Sequence, residues 1–286
     1  YYQCPIFRYE RPQAGRFRQH HQFGVEAIGD ASPQVDAEVI ELGWSYLSSL
    51  GLRGLKLRIN SIGDAECRPA YLGRLTAHFA THEGDLCKDH RRRYQSNPLR
   101  VLDCKREGCR TASSGAPASI DHLCEDCNSH WEELIGLLDQ LVHAESLLPY
   151  TVDSSLVRGL DYYTRTVFEF EPPEEAGQST LLGGGRYDPL IELLDGQPTP
   201  GIGFGSGIER VILNLEKQGV GAPSGAALDV VGVHIGDAAR GRLLTIASGL
   251  RALGHGMVLA PHGRGMRSQM RYANGLRARY ALILGD

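Results

Sequence analysis

The chemistry of this chain is densest in residues 7–22, FRYERPQAGRFRQHHQ. Four arginines, Arg8, Arg11, Arg16 and Arg18, are interrupted by Pro12 and Gly15. An apolar lead, two turn formers and a further run through Glu26 read as a strand, a cation-bearing turn and a second strand. A guanidinium is a planar fork of donors that stays charged, which suits the oxygens of a triphosphate or a nucleic-acid backbone. Glu10 shares a strand face with Arg8 and adds an acceptor to a basic site. A solvated basic hairpin is the plainer alternative, and these residues alone do not separate the two.

Three later stretches carry the same kind of signal. Residues 152–170 (VDSSLVRGLDYYTRTVFEF) set Arg158 in a tight, mostly apolar context, followed by Asp161, Tyr162, Tyr163 and a strand-like TVFEF. An Arg158–Asp161 ion pair is the structural alternative. Residues 181–188 (LLGGGRYD) place three glycines after a strand, either for close backbone approach to a ligand or for a turn. Residues 201–213 (GIGFGSGIERVIL) read as strand, glycine turn and helix, with a spacing that does not fit a dinucleotide loop. Cys104, Cys109, Cys124 and Cys127, with His122 and His130 nearby, raise the question of zinc. The second pair, however, falls in a helical stripe of Leu123, Cys127, Trp131, Leu134 and Leu138, with Asp121 as its expected N-cap. Ordinary thiols are the preferred reading, and no structural zinc is expected.

The elements that must position these residues are partly legible. Residues 33–50 have the apolar spacing of an amphipathic helix, and 52–62 read as a strand with Leu55, Leu57 and Ile59 on one face. A second helix is expected from about 64 to 79. Residues 67–150 are dense in charge, with short helices; there DHRRRYQ (89–95) is either a solvated face or a contact for an RNA backbone. After a linker at 221–225, residues 229–286 repeat strand and helix as βαβαβ. Arg264, Arg267, Arg271, Arg277 and Arg279 make that part locally basic. With 286 residues, 42% of them hydrophobic, the chain can bury one large core and a second, smaller one. A net charge of −4 supplies no global attraction for nucleic acid, so any RNA affinity must come from local arginines. No apolar run approaches a membrane span and no signal peptide is visible, so a cytoplasmic protein with reduced thiols and no membrane partner is expected.

FRYERPQAGRFRQHHQFGVE resembles the second class-defining motif of class II aminoacyl-tRNA synthetases in its histidyl-tRNA synthetase form. LVRGLDYYT and LLGGGRY resemble two motifs peculiar to that family, and GSGIER resembles the third class motif, so the resemblance covers almost the whole chain. It implies an α/β protein with a class II antiparallel-sheet core (1–66 and 148–221), an inserted helical subdomain (67–147) and a C-terminal α/β anticodon-binding domain (228–286). It also implies a fragment, because the family's first class motif and the extreme C-terminus have no counterpart here.

The activity implied is activation of histidine by ATP, with Mg²⁺ accompanying the nucleotide, and transfer to tRNA(His) by a homodimer. By motif match Arg8, Arg158 and Arg210 form the catalytic set around the α-phosphate. Glu10 would face the adenine amino group, Arg16 would hold the outer phosphates, and Arg210 would also lie against adenine. His20 stands where most of the family stacks Phe on the base. Gln22, Glu26, Tyr162, Tyr163, Tyr187, Gly203 and Gly205, with Arg158, would form the histidine pocket, while Arg11, Gln13 and Arg16 approach the acceptor end of tRNA. Two non-ligating relatives are the alternatives: a synthetase-like regulatory subunit of histidine biosynthesis, and a synthetase-like sensor domain of a stress kinase. Arg8, Arg158 and Arg210 occurring together weigh against both.

Overall fold

The computed structural model describes every residue outside 10–11, 13–16, 144–148, 158–161, 174–179 and 222–227. It divides into two units, 1–220 and 221–286. In the first unit β1 (Tyr2–Phe7) and β2 (Gln19–Ile28) pair as an antiparallel hairpin. There follow α1 (Pro33–Ser49), β3 (Lys56–Ser61), α2 (Arg68–Thr81), α3 (Lys88–Arg91), α4 (Leu99–Leu102), α5 (Glu107–Ser113), α6 (Glu125–His143), β4 (Tyr150–Val152) and β5 (Thr164–Glu171). The unit closes with β6 (Leu182–Arg186), α7 (Leu190–Leu193), β7 (Gly201–Gly207) and α8 (Ile208–Lys217). The sheet order is β1-β2-β7-β6-β5-β3-β4, antiparallel at every step except β3–β4.

Side-chain alternation gives this sheet its two faces. On β2, His20, Gln22, Glu26 and Ile28 line an open cleft, whereas Phe23, Val25 and Ala27 pack into the core. Against the core face α1 lays Val39, Ile40 and Leu47, and α6 lays Trp131, Leu134 and Leu138. Leu57, Ile59, Phe168 and Phe170 meet them from the sheet. Each such large side chain removed from water contributes about 1.5–3 kcal/mol. Helices α2 to α5 share a separate small core around Leu75, Phe79, Tyr94 and Val101. Helix α6 therefore packs with the main sheet and not with them.

Three local expectations change. Asp121 does not cap α6: it sits in a 3-10 turn (Ser119–His122), pinned to β3 by the Ser119 hydroxyl on the Ser61 carbonyl, and Leu123 is extended before the helix starts at Glu125. The glycines at 183–185 lie inside β6 and do not follow a strand. Likewise β7 runs unbroken from Gly201 to Gly207 into α8 with no intervening turn. In both strands glycine is placed for what crosses the sheet, not for backbone reversal.

The second unit holds β8 (Val230–Ile235), α9 (Asp237–Ala252), β9 (Met257–Leu259), α10 (Met266–Gly275) and β10 (Tyr280–Gly285). Its parallel sheet has the order β10-β8-β9, the βαβαβ arrangement read from the sequence. Arg264, Arg267, Arg271, Arg277 and Arg279 are all exposed. Among the described residues no helix is long and apolar enough to cross a membrane.

Candidate active site

The open face of the main sheet carries a cleft of about 760 Å³, a size that suits a small organic ligand. Arg8, His20, Gln22 and Glu26 enter it from the β1–β2 hairpin, and Tyr162, Tyr163 and Tyr187 from the far side. Gly203, Gly205 and Arg210 enter from β7 and α8. Glu10, Arg11, Gln13, Arg16 and Arg158 lie outside the described residues.

One end of the cleft is built for a small polar ring. The Tyr187 hydroxyl donates to Glu26 Oε2 at 2.5 Å. Partial desolvation pushes the Glu26 carboxyl above its ordinary 4.5, although the tyrosine hydrogen bond opposes the shift. Burial, reinforced by the neighbouring carboxylate, pushes the Tyr187 hydroxyl upward, so it remains a donor. Tyr162 stands edge-on to Tyr187, with ring centroids 6.3 Å apart, and lies 4.9 Å from Tyr163. Arg68 fixes Tyr163 from behind by donating to its main-chain carbonyl.

The glycines of β7 explain how two polar side chains lie across a sheet. Strand register sets Glu26 opposite Gly203 and Gly24 opposite Gly205. A Cβ at 203 would overlap the Glu26 carboxylate and the Val25 carbonyl, and one at 205 would come within 2.8 Å of Gln22 Nε2. Gln22 is held there by donating to Tyr2 Oη at 2.7 Å. Gly203→Ala should therefore displace Glu26 and weaken binding of a small polar ring at this end roughly 10- to 100-fold, the scale of one buried polar contact. Calorimetric titration with imidazole-bearing small molecules would show the loss.

The other end is cationic. Arg8 and Arg210 both act on His20, whose ring is buried. Burial, and then these two positive charges, hold the His20 pKa below its ordinary 6.5, so the ring is neutral at pH 7. Its Nδ1 is buried and has no hydrogen-bond partner among the described residues, an arrangement native proteins usually reserve for a ligand or water. Arg210, in the first turn of α8, donates to the Thr180 carbonyl at 2.8 Å. Beside it Glu209 accepts from the His21 backbone N–H at 2.9 Å and bonds the His21 ring at 2.8 Å. Burial alone would raise the Glu209 carboxyl, but these bonds more than offset it and hold it below the usual value.

Tyr2, Arg68 and Glu209 were not singled out from the sequence. The signal for Tyr2 was its strand phase, since it lies opposite Gly24 in the hairpin; the other two act through contacts distant in sequence. The cysteines also assemble differently from the sequence pairing. Cys104 and Cys109 meet Cys87 and His90, whereas Cys124 and Cys127 meet Asp64 and Cys67. His122 lies against the Tyr71 ring, and His130 bonds Asp36.

An antiparallel sheet with a substrate cleft on its face, and arginines from a hairpin and from the first turn of a helix at one end, is the core of a class II aminoacyl-tRNA synthetase. A family model described as histidyl-tRNA synthetase matches residues 1–68 and 90–211. Curated relatives named histidine–tRNA ligase include one from Dehalococcoides mccartyi, 50% identical over 286 residues, covering 100% of this chain and 67% of the relative. Another, from Symbiobacterium thermophilum, is 49% identical over 284 residues, covering 99% and 65%. The crystal structure of apo histidyl-tRNA synthetase from S. aureus superposes with a TM-score of 0.78 at 38% identity, covering 100% of this chain and 68% of that one. The chain belongs to the histidyl-tRNA synthetase family, and it spans about two thirds of the length of these relatives.

Proposed function

We propose that the protein ligates histidine to tRNA(His). The reading is carried by one observation: a single cleft has a Glu26–Tyr187 pair suited to an imidazole at one end and Arg8 with Arg210 at the other. In the first step a histidine carboxylate oxygen attacks the α-phosphorus of ATP. The bond to the bridging oxygen breaks and pyrophosphate leaves. In the second, a hydroxyl of the terminal ribose of tRNA attacks the acyl carbon and AMP departs. No protein nucleophile is needed, so rate comes from alignment and from neutralising charge on the phosphate oxygens.

Arg8 clamps the α-phosphate and Arg210 lies against adenine near the γ-phosphate. Arg158, Glu10 and Arg16 complete the ATP site in this reading. Glu26 and Tyr163 take the two imidazole nitrogens, Gln22 the amino-acid backbone, and Tyr162 and Tyr187 wall the ring over Gly203 and Gly205. Mg²⁺ arriving with ATP would supply charge neutralisation at the outer phosphates. Among the described residues Glu209 is the carboxylate at this end of the cleft, so the protein would offer few ligands. Arg11, Gln13 and Arg16 approach the acceptor end of tRNA, and the exposed arginines of the second unit suit anticodon contact. In keeping with the family resemblance, the protein works as a homodimer in the cytoplasm.

Histidine-dependent ATP–pyrophosphate exchange tests the proposal. Exchange stimulated by histidine and by no other amino acid supports it. Histidine binding without exchange would instead mark a regulatory subunit, and tRNA binding without adenylate formation a sensor.

His20 gives a sharper expectation. A phenyl ring covers adenine with more area and strands no polar atom, so His20→Phe should lower the KM for ATP about 2- to 10-fold. It should also remove one source of acid sensitivity. Because the folded-state pKa is depressed, wild-type stability is full above 6.5 and declines as the pH falls toward the folded value. Denaturation midpoints measured across that range would show the component missing in the variant. A rise in the KM for ATP would show that Nδ1 bonds the base.

A further inference from the structure

Six of the chain's seven cysteines gather in two clusters, and the cluster inside α2 to α5 has the geometry of a metal site. We propose that Cys87, His90, Cys104 and Cys109 bind a structural Zn²⁺ that staples this helical segment. Their donor atoms all lie within 4.8 Å of one another. Cys87 Sγ is 3.3 Å from His90 Nδ1, and Cys109 Sγ is 3.7 Å from the same nitrogen. A tetrahedral zinc with ordinary Zn–S and Zn–N bonds sets its ligands about 3.5–3.8 Å apart, so the donors need only small movements. Two residues separate Cys87 from His90 and four separate Cys104 from Cys109, both within the spacing of structural zinc ligands.

Backbone donors face the sulfurs of the cluster. The Cys87 backbone N–H donates to Cys109 Sγ at 3.2 Å, and the backbone N–H groups of Asp89 and His90 point at the Cys87 sulfur. Such second-layer donors orient and stabilise metal-bound sulfur. Three thiolates and one neutral imidazole around Zn²⁺ leave a charge of −1, and Asp89, Arg106, Arg100 and Arg93 are the charges that act on His90, so cations predominate around it. Gly108 lets α5 pack onto the Asp85 carbonyl, which brings Cys109 up to Cys87. The segment is also of the kind that a metal staples, since α3, α4 and α5 are of only 4, 4 and 7 residues around a small core. The second cluster differs in its donors: one of its four is the Asp64 carboxylate, which already has Arg165 Nη2 at 3.6 Å.

The test uses intact protein purified without a histidine tag. Elemental analysis should find about one zinc per chain, and cobalt in its place should give thiolate charge-transfer and tetrahedral ligand-field absorption. Cys109→Ser and Cys104→Ser should cut zinc affinity roughly 100-fold or more, whereas Cys124→Ser should not. Should a variant misfold, wild-type protein still decides: alkylation mapped by mass spectrometry should find Cys87, Cys104 and Cys109 protected until a chelator is added. Absence of metal, equal alkylation with and without chelator, a disulfide among these three, or zinc lost only with Cys124→Ser overturns the assignment.

Discussion

Replacing Arg210 with alanine lowers histidine-dependent ATP–pyrophosphate exchange by about 10²- to 10³-fold, the cost of one preorganised charge-stabilising donor. Negative charge gathers on the departing pyrophosphate as the carboxylate approaches phosphorus, so a guanidinium near the γ-phosphate should contribute more to the transition state than to bound ATP. The loss should therefore fall on kcat more than on KM. Arg210→Lys keeps the charge but not the planar fork, and should recover only part of the rate. Because Arg210 also holds the Thr180 carbonyl, some loss could come from local disorder. Arg8 sits just beyond β1, on a different element, and Arg8→Ala should show the same kcat-dominated loss with the Arg210–Thr180 contact left in place. If both arginines act on one triphosphate, the double variant loses less than the product of the single losses. Single variants that retain exchange within about threefold of wild type would be incompatible with the convergence on which the mechanism depends.

Residues that line the cleft were legible because they fall in contiguous motifs, and a motif fixes residue type and order together. Arg8, His20, Gln22 and Glu26 are spread over one hairpin, and strand alternation alone sends the last three to the same face. What escaped the sequence depends on partners across the fold. A glycine at 203 reads equally well as a turn or as an open floor until strand register sets it opposite Glu26. The cysteines were paired by nearness in sequence, 104 with 109 and 124 with 127. The structure keeps each pair but completes it with residues before α2, or before and within α3, that no periodicity linked to it. Asp121 had the right residue type for an N-cap and lost the position because Ser119 anchors the preceding turn to β3.

Asp36 is the extreme case of such a partner. It lies in the first turn of α1, fully buried, and receives Nε and Nη2 of Arg186, itself fully buried and 150 residues away in sequence. Thr166 donates to Asp36 Oδ2, and His130 Nε2 lies 2.8 Å from the same oxygen. One carboxylate thus ties α1, α6, β5 and β6 together beneath the cleft. Burial alone would lower the Arg186 pKa, but Asp36 reverses the shift and keeps the guanidinium charged. Asp36→Ala leaves the buried guanidinium with Asp188 as its remaining carboxylate, on Nη1 at 2.9 Å, and should cost about 3 kcal/mol of stability, read from the chemical-denaturation midpoint. Adding Arg186→Met removes the under-compensated buried charge, so the double variant should lose less than the two single losses combined. Arg186 immediately precedes Tyr187, the hydroxyl donor to Glu26, so Asp36→Ala should also raise the KM for histidine below its melting range. Additive losses in the double variant, or an unaltered histidine KM in the single one, would separate this network from the pocket it is argued to support.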